Sequence, residues 1–65
     1  MFVYKHSKLH PTSPGHSLCW YSIAGANLPD ATAQRLAGPF GTHAEATAWI
    51  VANDPAHPLG VPWVC

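Results

Sequence analysis

The chain has 65 residues, with only three basic residues, three acidic ones and a formal net charge of zero. Phosphate contacts draw on lysine and arginine, so this composition argues against nucleic acid as the main partner. A chain of this length forms one domain whose core leaves only roughly 3–5 kcal/mol of stability, and we expect added support from an oligomer or a partner.

The low content of charged residues indicates that the protein associates with other proteins. Charged residues make up 9% of the chain, against roughly 25% in an average domain, and a net charge near zero promotes association. We therefore expect a protein docked on a larger protein, or a homodimer. The chain has neither an apolar run of membrane-spanning length nor a leader pattern at residues 1–9, so we predict a cytoplasmic protein. Cys19 and Cys65 are then expected to be reduced thiols, although in a secreted protein this pair would be a candidate disulfide.

Two strands are predicted first. Residues 2–9 carry β-branched and aromatic side chains in rough alternation, and residues 10–16 contain two prolines and a Pro-Gly pair, which indicate a loop. Residues 17–24 have the densest aromatic and β-branched content and form the second strand, antiparallel to the first. Apolar side chains fall on both faces of this strand, which leaves its register open.

Residues 31–37 permit two interpretations. Asp30 could cap a short alanine-rich helix that ends at Gly38, or residues 33–37 could form a third strand. We favour the strand, because a two-stranded ribbon is marginal alone and a helix packs better on three strands.

A capped helix is predicted for residues 43–53. Thr42 stands three residues before Glu45, so the two side chains can form a capping box. The buried stripe follows at helical spacing and consists of Ala46, Trp49 and Ile50. Asn53 can adopt the left-handed conformation that ends a helix, and Pro55 prevents its continuation.

Residues 54–65 are predicted to be extended, because three prolines preclude a helix. They are too apolar for a disordered tail, so we expect them to pack back on the sheet or to serve as a docking peptide. The predicted fold is therefore α+β: a three-stranded antiparallel sheet, one helix packed on it and an extended, proline-rich C-terminal arm.

The histidines and cysteines raise the question of a metal site or a catalytic site. A zinc-stabilised module is one alternative, with four candidate ligands across the first hairpin: His6, His10, His16 and Cys19. Exposed loop histidines explain the same residues without a metal, and we assign no metal or cofactor. No nucleophile, base and oxyanion donor occur together, so we predict no enzyme.

Aromatic side chains are the best candidates for function, because few charges leave some rings exposed and tyrosine and tryptophan anchor protein interfaces. The predicted partner-binding residues are Tyr4, Trp20, Tyr21, Val61 and Trp63. The sequence thus favours a non-catalytic protein-binding module, an adaptor or an inhibitor. Tiny proteins of this kind are often encoded by phages and mobile elements to block host defence, as anti-CRISPR and anti-restriction inhibitors do, and we extend the hypothesis to that class.

Four short segments of the chain occur in an order that can be compared with a protein family. They are His-Ser-Leu-Cys-Trp at 16–20, Leu-Pro at 28–29, Gly-Pro at 38–39 and the helix at 44–53. Over about two-thirds of the chain this order resembles the MbtH-like family, small proteins of three strands and a helix that activate adenylation domains of peptide synthetases. The resemblance supports the predicted fold and implies that activity as an alternative.

The chain departs from the family pattern at the groove. Ser17 and Leu18 match the family's Ser-Leu-Trp-Pro motif, but Cys19 is inserted before Trp20 and the proline is missing. The N-terminal Asn-Pro-Phe motif is also missing, so the family's binding groove is not carried over. Residues 38–53 additionally resemble the helix entry of the sporulation-related SPOR repeat, in a different order of elements.

Overall fold

The computed structural model describes all 65 residues and contains four strands and one helix. In chain order these are β1 (Phe2–Leu9), β2 (Ser17–Ala24), β3 (Ala33–Ala37), α1 (His43–Asn53) and β4 (Trp63–Val64). The strands form one antiparallel sheet in the order β3-β1-β2-β4, with α1 against β1 and β2. The α+β prediction is confirmed, but the sheet has four strands rather than three.

Strands β1 and β2 pair along their whole lengths. The register runs from Phe2 opposite Ala24 to Leu9 opposite Ser17. Side chains alternate across a strand, so the odd-numbered residues of both strands face α1, as buried Val3 does. The even-numbered residues, such as Tyr4, lie on the opposite side, which we call the back face. This pairing settles the register that the sequence left open.

Residues 33–37 form a strand, as favoured above. The Asp30 carboxylate accepts hydrogen bonds from the N–H and the hydroxyl of Thr32, and the Ala33 N–H donates to the Asp30 carbonyl at 3.3 Å. Asp30 therefore closes a turn that leads into β3 instead of capping a helix. Strand β3 then covers the free edge of β1.

Helix α1 begins as predicted and ends differently. The Thr42 hydroxyl accepts the Glu45 N–H at 3.1 Å, while the Glu45 carboxylate accepts from the Gly41 N–H at 3.4 Å rather than from Thr42. Asn53 is still helical and no residue other than glycine has a positive φ, so the predicted left-handed ending is wrong. Asp54 is the C-cap, and its N–H donates to the Ile50 carbonyl at 2.7 Å.

The core between sheet and helix is small. Its buried centre consists of Val3, Tyr21, Ala46 and Ile50. Partly buried side chains surround it, namely Ile23, Ala37, Phe40, Trp49, Leu59 and Trp63. Of the predicted helix stripe, two residues are buried and Trp49 is half-buried. With only 7 of 65 residues buried, a core of this kind calls for support from elsewhere in the fold.

The Cys19–Cys65 disulfide supports this small core. The predicted extended C-terminal arm is not formed. Residues 54–65 fold back along β2: the Gly60 N–H donates to the Tyr21 carbonyl at 3.1 Å, and β4 pairs with β2. Cys65 is bonded to Cys19, so the expectation of reduced thiols is not met. The helix is neither long nor apolar enough to cross a membrane.

Candidate functional site

The back face carries an apolar groove beside Trp20. We call it the Trp20 groove; it encloses about 260 Å³ and is lined by Lys8, Leu18, Trp20, Gly60 and Pro62. Strands β1 and β2 supply one side, because Lys8 lies opposite Leu18 in the register. The returning C-terminal segment supplies the other side. The groove therefore exists only when that segment lies along β2.

Trp20 is held in place by a buried histidine. The rings of His6 and Trp20 stack with centroids 4.8 Å apart and planes 8° from parallel. His6 is only 3% exposed, and both of its ring nitrogens are engaged, Nδ1 with Thr32 Oγ1 at 3.0 Å and Nε2 with Ser22 Oγ at 2.5 Å. Because His6 cannot turn without breaking these bonds, it gives Trp20 a fixed support.

The groove has one charge and an apolar margin. The Lys8 ammonium lies 5.6 Å from the centre of the Trp20 ring, within the range of a cation–π contact. Val64 lies opposite Leu18 and is 55% exposed. Val61 is 52% exposed but does not line the groove. The exposed surface is therefore apolar with a single positive group.

Tyr4, also on the back face, is part of the packing and does not line the groove. It is fully buried, and its hydroxyl donates to the Gly25 carbonyl at 2.5 Å. The Arg35 guanidinium donates to the same hydroxyl at 3.3 Å and lies 4.0 Å from the centre of the Phe2 ring. Tyr4 thus fixes the turn after β2 on the sheet and presents no ring to a partner.

On the helix side, Tyr21 and Trp63 belong to a polar cluster around Asp54. The Tyr21 hydroxyl donates to Asp54 Oδ2 at 2.7 Å, and His57 Nδ1 lies 2.9 Å from both carboxylate oxygens. The His57 ring stacks on Trp63 with centroids 4.1 Å apart. Tyr21 is buried and Trp63 is half-buried.

Electrostatics within this cluster favours one protonation state. Burial raises the pKa of Tyr21 to about 12, and the hydrogen bond to Asp54 and its charge add to the effect. The hydrogen bonds from Tyr21 and then from His57 lower the pKa of Asp54. A carboxylate that orients an imidazole resembles part of a catalytic triad, but no hydroxyl or thiol bonds the other His57 nitrogen. The cluster connects the end of α1 to the sheet.

The structure therefore separates the five predicted partner-binding residues. Trp20 lines the Trp20 groove, and Val61 is exposed but does not line it. Tyr4 and Tyr21 are buried, and Trp63 packs on the helix side. Sequence analysis missed Lys8 and Leu18 as groove residues and Asp54 and His57 as a pair. The alternation of β2 does place Leu18 and Trp20 on one face, but it does not single out Leu18 as a binding residue. Nothing in the sequence indicated that residue 54 meets residue 21.

The four residues of the zinc alternative do not converge. His6 faces the back of the sheet, Cys19 faces the helix side, and Cys19 is bonded to Cys65. No three side chains among the histidines, cysteines and carboxylates are grouped in a way that could hold a metal ion.

Comparison of the chain with protein-family models, with curated proteins and with solved structures found no match. The resemblance to MbtH-like proteins therefore stays a prediction.

Proposed function

We propose that this protein is a non-catalytic binding protein that docks on a larger protein through the Trp20 groove, as an adaptor or an inhibitor. The observation that carries the proposal is a supported and partly exposed tryptophan: Trp20 stacks on His6 and keeps part of its surface accessible in the groove beside Leu18. Rigid aromatic side chains at the centre of an apolar patch are the usual energetic anchors of protein interfaces. An inhibitor of host defence is one form of this function.

Charge and size indicate what the groove accepts. Its volume of about 260 Å³ suits one or two side chains rather than a whole cofactor. Lys8 is its one charged residue, so a carboxylate on the partner would be matched there. The occupant we infer is a segment of the partner protein with an aliphatic or aromatic residue next to an aspartate or glutamate.

Selection from a random peptide display library on the immobilised protein tests this inference. We expect selected peptides to share an apolar residue flanked by an acidic one. Lys8→Glu reverses the groove charge at the surface and should weaken such peptides about tenfold, the effect of roughly 1.4 kcal/mol. Removing an aromatic residue at the centre of an interface costs at least about 2 kcal/mol of binding free energy. Trp20→Ala should therefore lower the affinity of the selected peptides about 30-fold.

Controls separate binding from folding. Val51→Ser changes an exposed apolar residue on α1, far from the groove, and should leave peptide affinity unchanged. The melting temperature of each variant shows whether it is folded. Peptides that bind Lys8→Glu and Trp20→Ala as well as they bind the wild type would refute the proposal.

A further inference from the structure

The Cys19–Cys65 disulfide borders the larger cavity of the protein. This cavity encloses about 450 Å³ on the helix side of the sheet, and Lys5 lies in its wall with both cysteines. Cys65 is exposed, whereas Cys19 is 1% exposed. A thiolate arriving from solution therefore has freer access to Cys65 than to Cys19. The Lys5 ammonium offers a thiolate a favourable charge in the same cavity.

The disulfide holds an element that is weak without it. Strand β4 has two residues, paired with Leu18 and Cys19, and the Cys65 N–H adds a hydrogen bond to the Ser17 carbonyl at 3.0 Å. So short a pairing is not stable alone. The same segment supplies Gly60 and Pro62, one side of the Trp20 groove. The integrity of the groove thus depends on a covalent bond at the end of β4.

We propose that Cys65 is a site of thiol–disulfide exchange with dithiol reductants, and that reduction releases β4 and removes one side of the Trp20 groove. A thiolate of the reductant attacks Cys65 Sγ, the Cys19–Cys65 bond breaks, and Cys19 leaves as a thiolate that takes up a proton. The second thiol of the reductant, as a thiolate, then attacks the reductant sulfur that is bonded to Cys65. Cys65 leaves as a thiolate and takes up a proton. The protein gains two electrons and two protons, and the dithiol becomes a cyclic disulfide.

Trapping with glutathione tests the site of attack. The protein is incubated with reduced glutathione, quenched with an alkylating agent and digested, and mass spectrometry locates the adduct. We expect glutathione on Cys65; an adduct mainly on Cys19 would overturn the assignment. Lys5→Gln should slow adduct formation several-fold, while the control variant Val51→Ser on α1 should not. Equal rates for Lys5→Gln and the wild type would remove the role of Lys5.

Amide hydrogen exchange tests the release. In dithiothreitol, we expect the Gly60 and Cys65 amides to exchange at least tenfold faster, while amides within β1, which does not pair with β4, keep their protection. The double variant Cys19→Ser, Cys65→Ser should give the same pattern without reductant. Unchanged exchange at Gly60 and Cys65 would contradict the proposal, and so would an equal loss of protection at every amide, because that is global unfolding.

The effect on binding rests on the proposed function. A peptide selected on the oxidised protein should bind at least tenfold more weakly after reduction; unchanged affinity would show that the groove is not coupled to the disulfide. If no groove peptide is found at all, the proposed function fails, while the glutathione and exchange experiments still decide the chemistry at Cys65.

Discussion

The Tyr21 hydroxyl donates a 2.7 Å hydrogen bond to the Asp54 carboxylate, which joins the middle of the sheet to the residue that caps α1. This bond is the main cause of the lowered pKa of Asp54, and the hydrogen bond from His57 is the second. A carboxyl group whose pKa falls on folding contributes stability above its unfolded pKa of about 3.9, and that contribution is lost as the pH falls further.

Acid should therefore destabilise the protein partly through Asp54. We expect the free energy of unfolding, measured in urea, to fall as the pH drops below about 5 and through the unfolded pKa of about 3.9. Asp54→Asn should be less stable than the wild type at pH 6 and should lose less stability on acidification. Asp30→Asn serves as a comparison, because the pKa of Asp30 is also lowered, by Thr32. Parallel curves for Asp54→Asn and the wild type would contradict this expectation.

At alkaline pH the stability depends on the donor of the same hydrogen bond, the Tyr21 hydroxyl. The pKa of Tyr21 is raised to about 12, so the unfolded chain releases this proton before the folded protein does. Stability should thus fall as the pH rises from about 10 towards 12. NMR titration of the tyrosine Cζ signal should place Tyr21 near 12 in the wild type and lower, but still above 10, in Asp54→Asn. An ordinary value near 10 in the folded wild type would refute the burial argument.

Two neighbouring helix residues should differ sharply in their tolerance of truncation. Ile50 is buried against the sheet, so Ile50→Ala should cost about 2–5 kcal/mol, much of the stability of so small a domain. Val51 is 58% exposed, and Val51→Ala should stay within about 0.5 kcal/mol. Chemical denaturation of both variants measures the difference, and similar losses would show that α1 does not pack as described.

A glycine pair offers a second matched comparison. Gly38 has φ of 130°, and a Cβ atom there would lie 2.6 Å from a Phe2 ring carbon and 2.9 Å from the Met1 carbonyl oxygen. Gly38→Ala should therefore destabilise the protein by more than about 1 kcal/mol. Gly25→Ala meets no atom within 4 Å and should be neutral or slightly stabilising. Thermal melts decide, and equal melting temperatures for the two variants would contradict the prediction.

Trp63 and Val61, grouped together by the sequence, should behave differently. Trp63 packs against Tyr21 and His57, so Trp63→Ala should lower the free energy of unfolding by about 2 kcal/mol, less than a fully buried tryptophan would. Val61→Ala should change stability by less than about 0.5 kcal/mol, because the side chain is half-exposed. A Trp63→Ala variant with the melting temperature of the wild type would show that this contact is not structural.

The local elements could be predicted from the sequence because their signals are local. Alternation predicted β1 and β2, the spacing of Thr42 and Glu45 predicted the start of α1, and the need for a third strand predicted β3. The helix ends at Asn53 as predicted, but its capping was not, because Asp54 is fixed by a long-range bond to Tyr21 that a local pattern cannot reveal.

The candidate site was predicted less well, since it depends on which face each β2 residue occupies and on where residues 54–65 return. Trp20 was among the predicted partner-binding residues, but Lys8 became a groove residue only through its position opposite Leu18. The pairing of Cys19 with Cys65 was set aside on the argument that the chain is cytoplasmic. The two cysteines are 46 residues apart in the sequence, and the pairing of β4 with β2 places them next to each other.

Strand β1 is the centre of the sheet, and yet it lies outside the ring that the disulfide closes between residues 19 and 65. Strands β2 and β3 each pair with β1 and not with each other. Within the covalent ring, β2 and β3 are separated by the width of one strand. Strand β1, from the N-terminal segment outside the ring, lies between them and pairs with both. If the chain were cut in the 10–16 loop, the two pieces would stand to each other as donor strand and acceptor, the relationship by which separate proteins complete one another's sheets.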